Sequence, residues 1–199
     1  MKILTVLLLF LSGIWPVHDG VQTGGKIENF TLTNTISNQP VSLSDYAGEK
    51  GVVIIFTSNY CAFSKLYEDR IIALANQFES QGIRFLLINS NTSVDNIDDT
   101  VEEMARHARE KGLRIPYLAD KDHVVSAKLG ATKTPEAFVL QNTGNSTFIL
   151  KYRGAIDDNP QVPQAVSAFY VKDAIMAILT KKNLSLMEKR PIGCMIKKD

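Results

Sequence analysis

Residues 52–58, VVIIFTS, constrain this chain more than any other segment. A half-exposed strand alternates apolar and polar side chains, whereas a continuous β-branched run needs cover on both faces. IRFLLINS at 83–90 repeats that character. Between the two, Leu66, Ile71, Leu74, Ala75 and Phe78 recur at spacings of about three or four, which predicts a helix over 62–80 stopped by Gly82. Two buried strands joined through a helix give the parallel core of a layered α/β domain.

The flanks fit around that core. FTLTN (30–34) and VSLSDY (41–46) alternate and read as an N-terminal hairpin. DDTVEEMARHAREK (98–111), acidic at its front and basic at its back, predicts a second helix. IPYLAD (115–120) reads as a short strand and HVVSAKLG (123–130) as a short helix. EAFVLQ (136–141) and TFILKYRG (147–154) enclose a turn-rich stretch and predict a β-hairpin. AVSAFYVKDAIMAILTKK (165–182) predicts the last helix. The 199 residues amount to one domain, 21–182, with a tail over 183–199.

Charge is nearly balanced, 22 basic against 21 acidic residues, so there is no electrostatic case for nucleic acid. Two cysteines and three histidines exclude a zinc ribbon or an iron–sulfur cluster, and no metal or cofactor is expected. Residues 1–20 open with Lys2 and then run apolar from Ile3 to Ile14. That is short of the ~20 residues a spanning helix needs and fits a signal peptide cleaved near residue 20. Export to a periplasmic or secreted location follows, where disulfides persist. Membrane contact is then expected only through an uncleaved N-terminal segment.

Cys61 falls where the first buried strand gives way to the helix. Free backbone N–H groups and the positive end of the helix dipole favour a thiolate there. A buried, inert thiol is the competing reading. Ser58, three residues earlier, brings a hydroxyl near the sulfur, and Ser64 removes the usual Cys-x-x-Cys spacing. Lys65 and Arg70 read as surface ion-pair residues. His107 points to solvent on this reading, and His123 caps the short helix. Asp157-Asp158 reads as a solvated turn or a cap. Asn89, Asn91, Asp95 and Asp98 follow a strand's C-terminal end without a phosphate-binding glycine pattern. Asn29, Asn91, Asn145 and Asn183 begin N-x-S/T sites. Cys194 lies in a basic tail where Pro191 and Gly193 predict an exposed turn. It is either a partner for Cys61 or a lone tail thiol.

The segments FTLTNTISNQPVSLSDYAG (30–48), VVIIFTSNYCAFSKLYEDRI (52–71), KLGATKTPEAFVL (128–140), YRGAIDDNP (152–160) and KRPIGCMIKKD (189–199) resemble the thioredoxin-like superfamily. The closer likeness is to its peroxiredoxin-like branch, the AhpC/TSA-type redoxins, over residues 24–199. The resemblance implies a three-layer sandwich, a central mixed β-sheet flanked by helices, with the hairpin as an N-terminal extension. It implies that Cys61 is the reactive cysteine and that Pro135 is a cis-proline beside it. Thr134 would then offer its backbone to a bound thiol or peptide.

Relatives in that branch often read Cys-Asn-His-Cys where this chain reads Ser58-Asn59-Tyr60-Cys61, so the first motif cysteine has become Ser58. Ser58 matches the Thr/Ser three residues before a peroxidatic cysteine. The proline expected at 54 is an isoleucine, and Arg153 is the one candidate for an activating arginine.

Two functions follow from this reading. The first is a thiol oxidoreductase or peroxiredoxin-like antioxidant protein acting through Cys61 on a peroxide or a protein disulfide. Cys194 or an external thiol would resolve it, and a partner redox protein or small thiol would supply electrons. The second is a redox-inactive, chaperone-like module that holds an extended peptide between Tyr60, Phe63 and Thr134-Pro135.

Overall fold

The computed structural model describes residues 20–92 and 97–197. The expected signal peptide and Asp95 lie outside the described residues, apart from Gly20. The strands are β1 (Lys26–Ile27), β2 (Thr31–Asn34), β3 (Gln39–Ser42), β4 (Gly51–Phe56), β5 (Ile83–Asn89), β6 (Tyr117–Ala119), β7 (Lys133–Thr134), β8 (Glu136–Asn142), β9 (Phe148–Gly154), β10 (Glu188–Lys189) and β11 (Cys194–Met195). The α-helices are α1 (Ala62–Phe78), α2 (Val101–Glu110), α3 (Val124–Leu129) and α4 (Tyr170–Thr180).

Nine strands form one mixed sheet in the order β1-β9-β8-β4-β5-β6-β2-β3, with β10 also on β9. The run 52–56 occupies the middle as expected. β4 pairs parallel with β5 and antiparallel with β8, and Val52 to Phe56 are at most 1% exposed. Its two faces serve two cores. Val53 and Ile55 pack with Tyr67, Ile71 and Phe78 of α1, Met104 of α2 and Ile175 of α4. Val52, Ile54 and Phe56 pack with Leu43, with Val125 and Leu129 of α3, and with Ile196 of the tail. Each such side chain contributes about 1.5–3 kcal/mol by leaving water. This is the expected α/β thioredoxin-like sandwich with helices on both sides of a mixed sheet.

Four local readings change. In α1 Ile71, Ala75 and Phe78 are buried as expected, but Leu66 is exposed and Tyr67 takes the first place in the buried stripe. The last helix starts at Tyr170, not 165. The Ser167 N–H donates to the Asp158 carboxylate at 2.9 Å, and the Asp158 N–H donates to the Ala168 carbonyl at 3.1 Å. Those tethers hold residues before 170 out of the helix although the apolar spacing runs through them. His123 occupies the N-cap position of α3 but its side chain makes no capping hydrogen bond; Asp120 accepts from the N–H groups of Val125 and Ser126 at 3.0 and 2.9 Å instead. The tail is also more than a turn, since two of its segments are strands: β10 runs parallel to β9 and β11 antiparallel to β7.

Candidate active site

β4 ends at Phe56 and the chain turns through Ser58, Asn59 and Tyr60 before α1 begins. Cys61 is the N-cap residue of this 17-residue helix, with extended backbone angles. The buried strand fixes the position from which the helix departs, so the sulfur inherits the rigidity of the sheet. Cys61 is 1% exposed and Tyr60, its neighbour, 64% exposed.

Thr134 at the end of β7 faces Cys61, and the bond from Thr134 to Pro135 is cis, as the resemblance implied. The Thr134 carbonyl oxygen lies 3.0 Å from Cys61 Sγ. Cys61 and Cys194 form a disulfide with their Cα atoms 5.9 Å apart, which settles the two readings of Cys194 in favour of pairing. The tail reaches that place as a strand. Cys194 is opposite Thr134 and Met195 opposite Lys133. The Ile196 N–H donates to the Thr132 carbonyl at 3.0 Å, and the Ile196 side chain is buried. Gly193 makes the approach possible, because a Cβ there would overlap the Thr134 carbonyl.

A buried carboxylate that the sequence did not single out organises the turn before Cys61. Asp99 is fully buried. It accepts from the Ser58 hydroxyl at 2.7 Å, from the Asn59 N–H at 2.6 Å and from Asn89 Nδ2 at 2.8 Å. Tyr117 donates its hydroxyl to Asn59 Oδ1 at 2.9 Å. Burial pushes the Tyr117 phenol far above its usual range, and the charge of Asp99 adds to the shift. The hydroxyl proton of Ser58 is therefore committed to Asp99. The network also extends to the tail: the Asn91 N–H donates to Asn89 Oδ1 at 2.9 Å, and Asn91 Oδ1 accepts from the Lys197 N–H at 2.9 Å. Asn91 is buried, so its N-x-S/T match is occupied by structure.

The opposite wall is braced by Glu136. Its carboxylate accepts from the N–H groups of Thr132 and Lys133 at 2.8 and 3.0 Å. Burial nonetheless raises its pKa above the ordinary glutamate value. Arg153 is buried, and its polar partner is Glu188 of the tail at 2.9 Å. Among the described residues no hydrogen bond joins it to Cys61.

Three groups expected at the surface prove structural. Arg70 donates to buried Asp157 at 2.7 Å and to the carbonyls of Asn159 and Pro160, tying α1 to the segment 157–160. Asp157 also accepts from the Tyr67 hydroxyl at 2.6 Å, so it is neither a solvated turn residue nor a cap. His107 contacts the Glu68 carboxylate, as does Lys111 at 2.8 Å, instead of pointing to solvent. Burial works against the charge of Glu68, but hydrogen bonds from Lys111 and His107 outweigh it and hold the carboxyl below its ordinary value. Ser64 lies in the first turn of α1 with a buried hydroxyl that has no partner among the described residues. Beside it a small cleft is lined by Ser58, Asn59, Glu68, His107 and Tyr117. Among the described residues no cluster of His, Cys, Asp and Glu has the arrangement of a metal site.

Residues 23–158 match the family model described as the AhpC/TSA family. An uncharacterized conserved protein from Geobacillus kaustophilus superposes with a TM-score of 0.81 at 29% identity, covering 89% of this chain and 93% of that one. A hypothetical protein from Sinorhizobium meliloti 1021 gives 0.80 at 26% identity, with coverage of 89% and 95%. Peroxidoxin BcpB from Mycobacterium tuberculosis shares the fold, with a TM-score of 0.55 at 18% identity over 79% and 94% of the two chains. No curated protein matches the chain.

Proposed function

The chain belongs to the AhpC/TSA family, and from that premise we propose that it is a thiol oxidoreductase whose working parts are Cys61 and Cys194. The observation that carries this reading is the disulfide between a helix N-cap cysteine and a cysteine delivered by the docked tail. In the reduced protein the first-turn N–H groups of α1 favour the Cys61 thiolate. That thiolate attacks a peroxide oxygen, forming Cys61 sulfenic acid and releasing the alcohol or water. The Cys194 thiol then attacks the sulfenic sulfur, closing the disulfide and expelling water. An external thiol reductant or partner redox protein returns two electrons and two protons.

A protein disulfide is the other oxidant this pair can use, through a mixed disulfide on Cys61 that Cys194 resolves. Ser58 occupies the place of a first motif cysteine, and Asp99 holds it, together with Asn59, against the turn. These are positioning residues. Lys133 and Thr134 form the edge on which the tail strand is seated, with Pro135 following them. The signal-like segment 1–20 supports work outside the cytoplasm, in the periplasm or as a secreted protein, where such a disulfide persists. The alternative of a redox-inactive peptide-binding module is disfavoured because the tail itself occupies the β7 edge that a peptide would need.

The test is the intact mass of the fully reduced protein before and after an equimolar amount of hydrogen peroxide. Loss of two hydrogens, with both thiols gone, is expected. Two thiols that survive peroxide would remove the peroxidase step and leave disulfide substrates as the oxidant. Survival against both peroxide and an oxidised dithiol would remove the function.

A further inference from the structure

We propose that this chain binds a phosphate-bearing anion in a cleft of three lysines at the end of the sheet opposite Cys61. Lys151, Lys181 and Lys182 line this cleft of about 310 Å³, with Gln141, Asn183 and Ile178 completing its walls. Cys61 lies beyond the last residue of β4, whereas Gln141 pairs with the first, Gly51. The length of the central strand therefore separates the cleft from the disulfide, and the site stands independently of the redox reading.

Two backbone devices bring the lysines together. In the pairing of β8 with β9, Val139 is opposite Tyr152 and Leu140 opposite Leu150, which leaves Lys151 as the extra residue of a β-bulge. A bulge re-aims the side chain it carries, and this one is brought to the cleft beside the end of α4. That helix closes with the Lys182 N–H donating to the Ala177 carbonyl at 2.9 Å. Such a closure ordinarily places glycine at the left-handed position just before it. Lys181 takes that position instead, with a φ of 56°. The negative end of the helix dipole favours cations there, but it gives no reason for a third lysine arriving from the sheet.

The charge in the cleft is unbalanced. No Asp or Glu lines it, and among the described residues none of the three ammonium groups has an ion pair or hydrogen bond. Other cations of this chain are matched: Arg84 by Glu49 and Glu79, Arg106 by Glu103 and Glu110, Lys111 by Glu68. Three like charges in one concavity repel, and a bound anion relieves that repulsion. The donors indicate its class. A carboxylate is best matched by the flat fork of an arginine, and the cleft has none. Ammonium groups act as point charges, and three of them suit the several oxygens of a phosphate dianion. The carboxamides of Gln141 and Asn183 can donate to further oxygens, while Ile178 offers an apolar surface to the body of an ester. A soluble phosphate monoester and the headgroup of an anionic phospholipid share this chemistry.

The experiment titrates the full chain calorimetrically with glycerol 3-phosphate and, separately, floats it with phosphatidylcholine vesicles with and without phosphatidic acid. Both are repeated with the double variant Lys151→Gln/Lys181→Asn, since asparagine tolerates the left-handed backbone. Lys121→Gln, which removes an exposed charge outside the cleft, is the control. At least one probe is expected to bind, with the double variant weakening it ~10-fold or more and Lys121→Gln changing it less than ~2-fold. Binding of glycerol 3-phosphate alone assigns a soluble ester, flotation that needs phosphatidic acid assigns a lipid headgroup, and both together assign the phosphate itself. Failure of both probes, or equal losses in the double variant and the control, would overturn the proposal. Melting supplies a second readout. At low salt Lys151→Gln should melt above the natural chain because it relieves repulsion, and a lower melting temperature would overturn the unbalanced cleft.

Discussion

The two ends of the disulfide are held in unlike ways. Cys61 begins a helix that packs on the middle of a nine-stranded sheet, and the strand leading to it is buried on both faces. Cys194 belongs to a peripheral strand of two residues, secured by its pairing with β7, one buried isoleucine and a bond from Lys197 to Asn91. Elements with few buried contacts open at lower free energy than core strands. The contrast assigns separate tasks: the core presents one sulfur in a fixed place, and the tail brings the other to it or takes it away. Reduction should therefore change the tail and leave the sheet alone.

The largest effect comes from attacking the fixed side. Ile54→Ala opens a cavity in a site with no exposure and is expected to cost about 2–5 kcal/mol in urea unfolding. A cost below 1 kcal/mol would show that β4 is not the rigid member of the pair. Cutting the link itself comes next. Cys194→Ser removes a cross-link between residues 133 apart and should lower stability by about 2–4 kcal/mol. Amide exchange should rise in 188–197 while β4 and β8 stay protected. Loss of protection in the sheet would deny the division.

Gly193→Ala tests the docking without touching either sulfur. The added methyl meets the Thr134 carbonyl, an overpacking that costs about 1–3 kcal/mol and should lower the fraction of chains that close the disulfide. Unchanged closure would mean that the tail does not need its seat on β7. The smallest effect concerns Glu68, on the helix that Cys61 begins. Its folded-state pKa is lowered, so the unfolded chain binds more protons through that range and stability rises with pH there. This contribution is present above the ordinary value of 4.5 and lost as pH falls through the folded value. Glu68→Gln should thus be less stable than the natural chain at neutral pH, and the gap should narrow in acid. A gap that widens in acid would reverse the assignment.

Much of the fixed side is visible in the chain itself. The unbroken apolar run 52–56 announces a central strand, and Cys61 at its exit announces a helix N-terminus. The moving side is harder to read because its structure depends on pairing with distant residues. Nothing local marks 194–195 as a strand, since its partner is 60 residues away in sequence at Thr134. Gly193 is the one trace, and in sequence it looks like a turn glycine. Asp99 was missed for a related reason. It sits among Asp95 and Asp98, and only the fold tells which carboxylate is turned inward to Ser58 and Asn59. Arg70 and His107 look like surface charges because their partners, Asp157 and Glu68, lie far off along the chain.

The central claim is that Cys61 and Cys194 form a working redox pair and not a permanent staple. Thiol counting on the folded chain through one cycle, reduction by dithiothreitol without denaturant and then reoxidation by hydrogen peroxide, addresses it most directly. Both thiols should appear together and disappear together, and Cys194→Ser should stop at a sulfenic acid on Cys61. Thiols that emerge only after unfolding would contradict the account and make the disulfide structural.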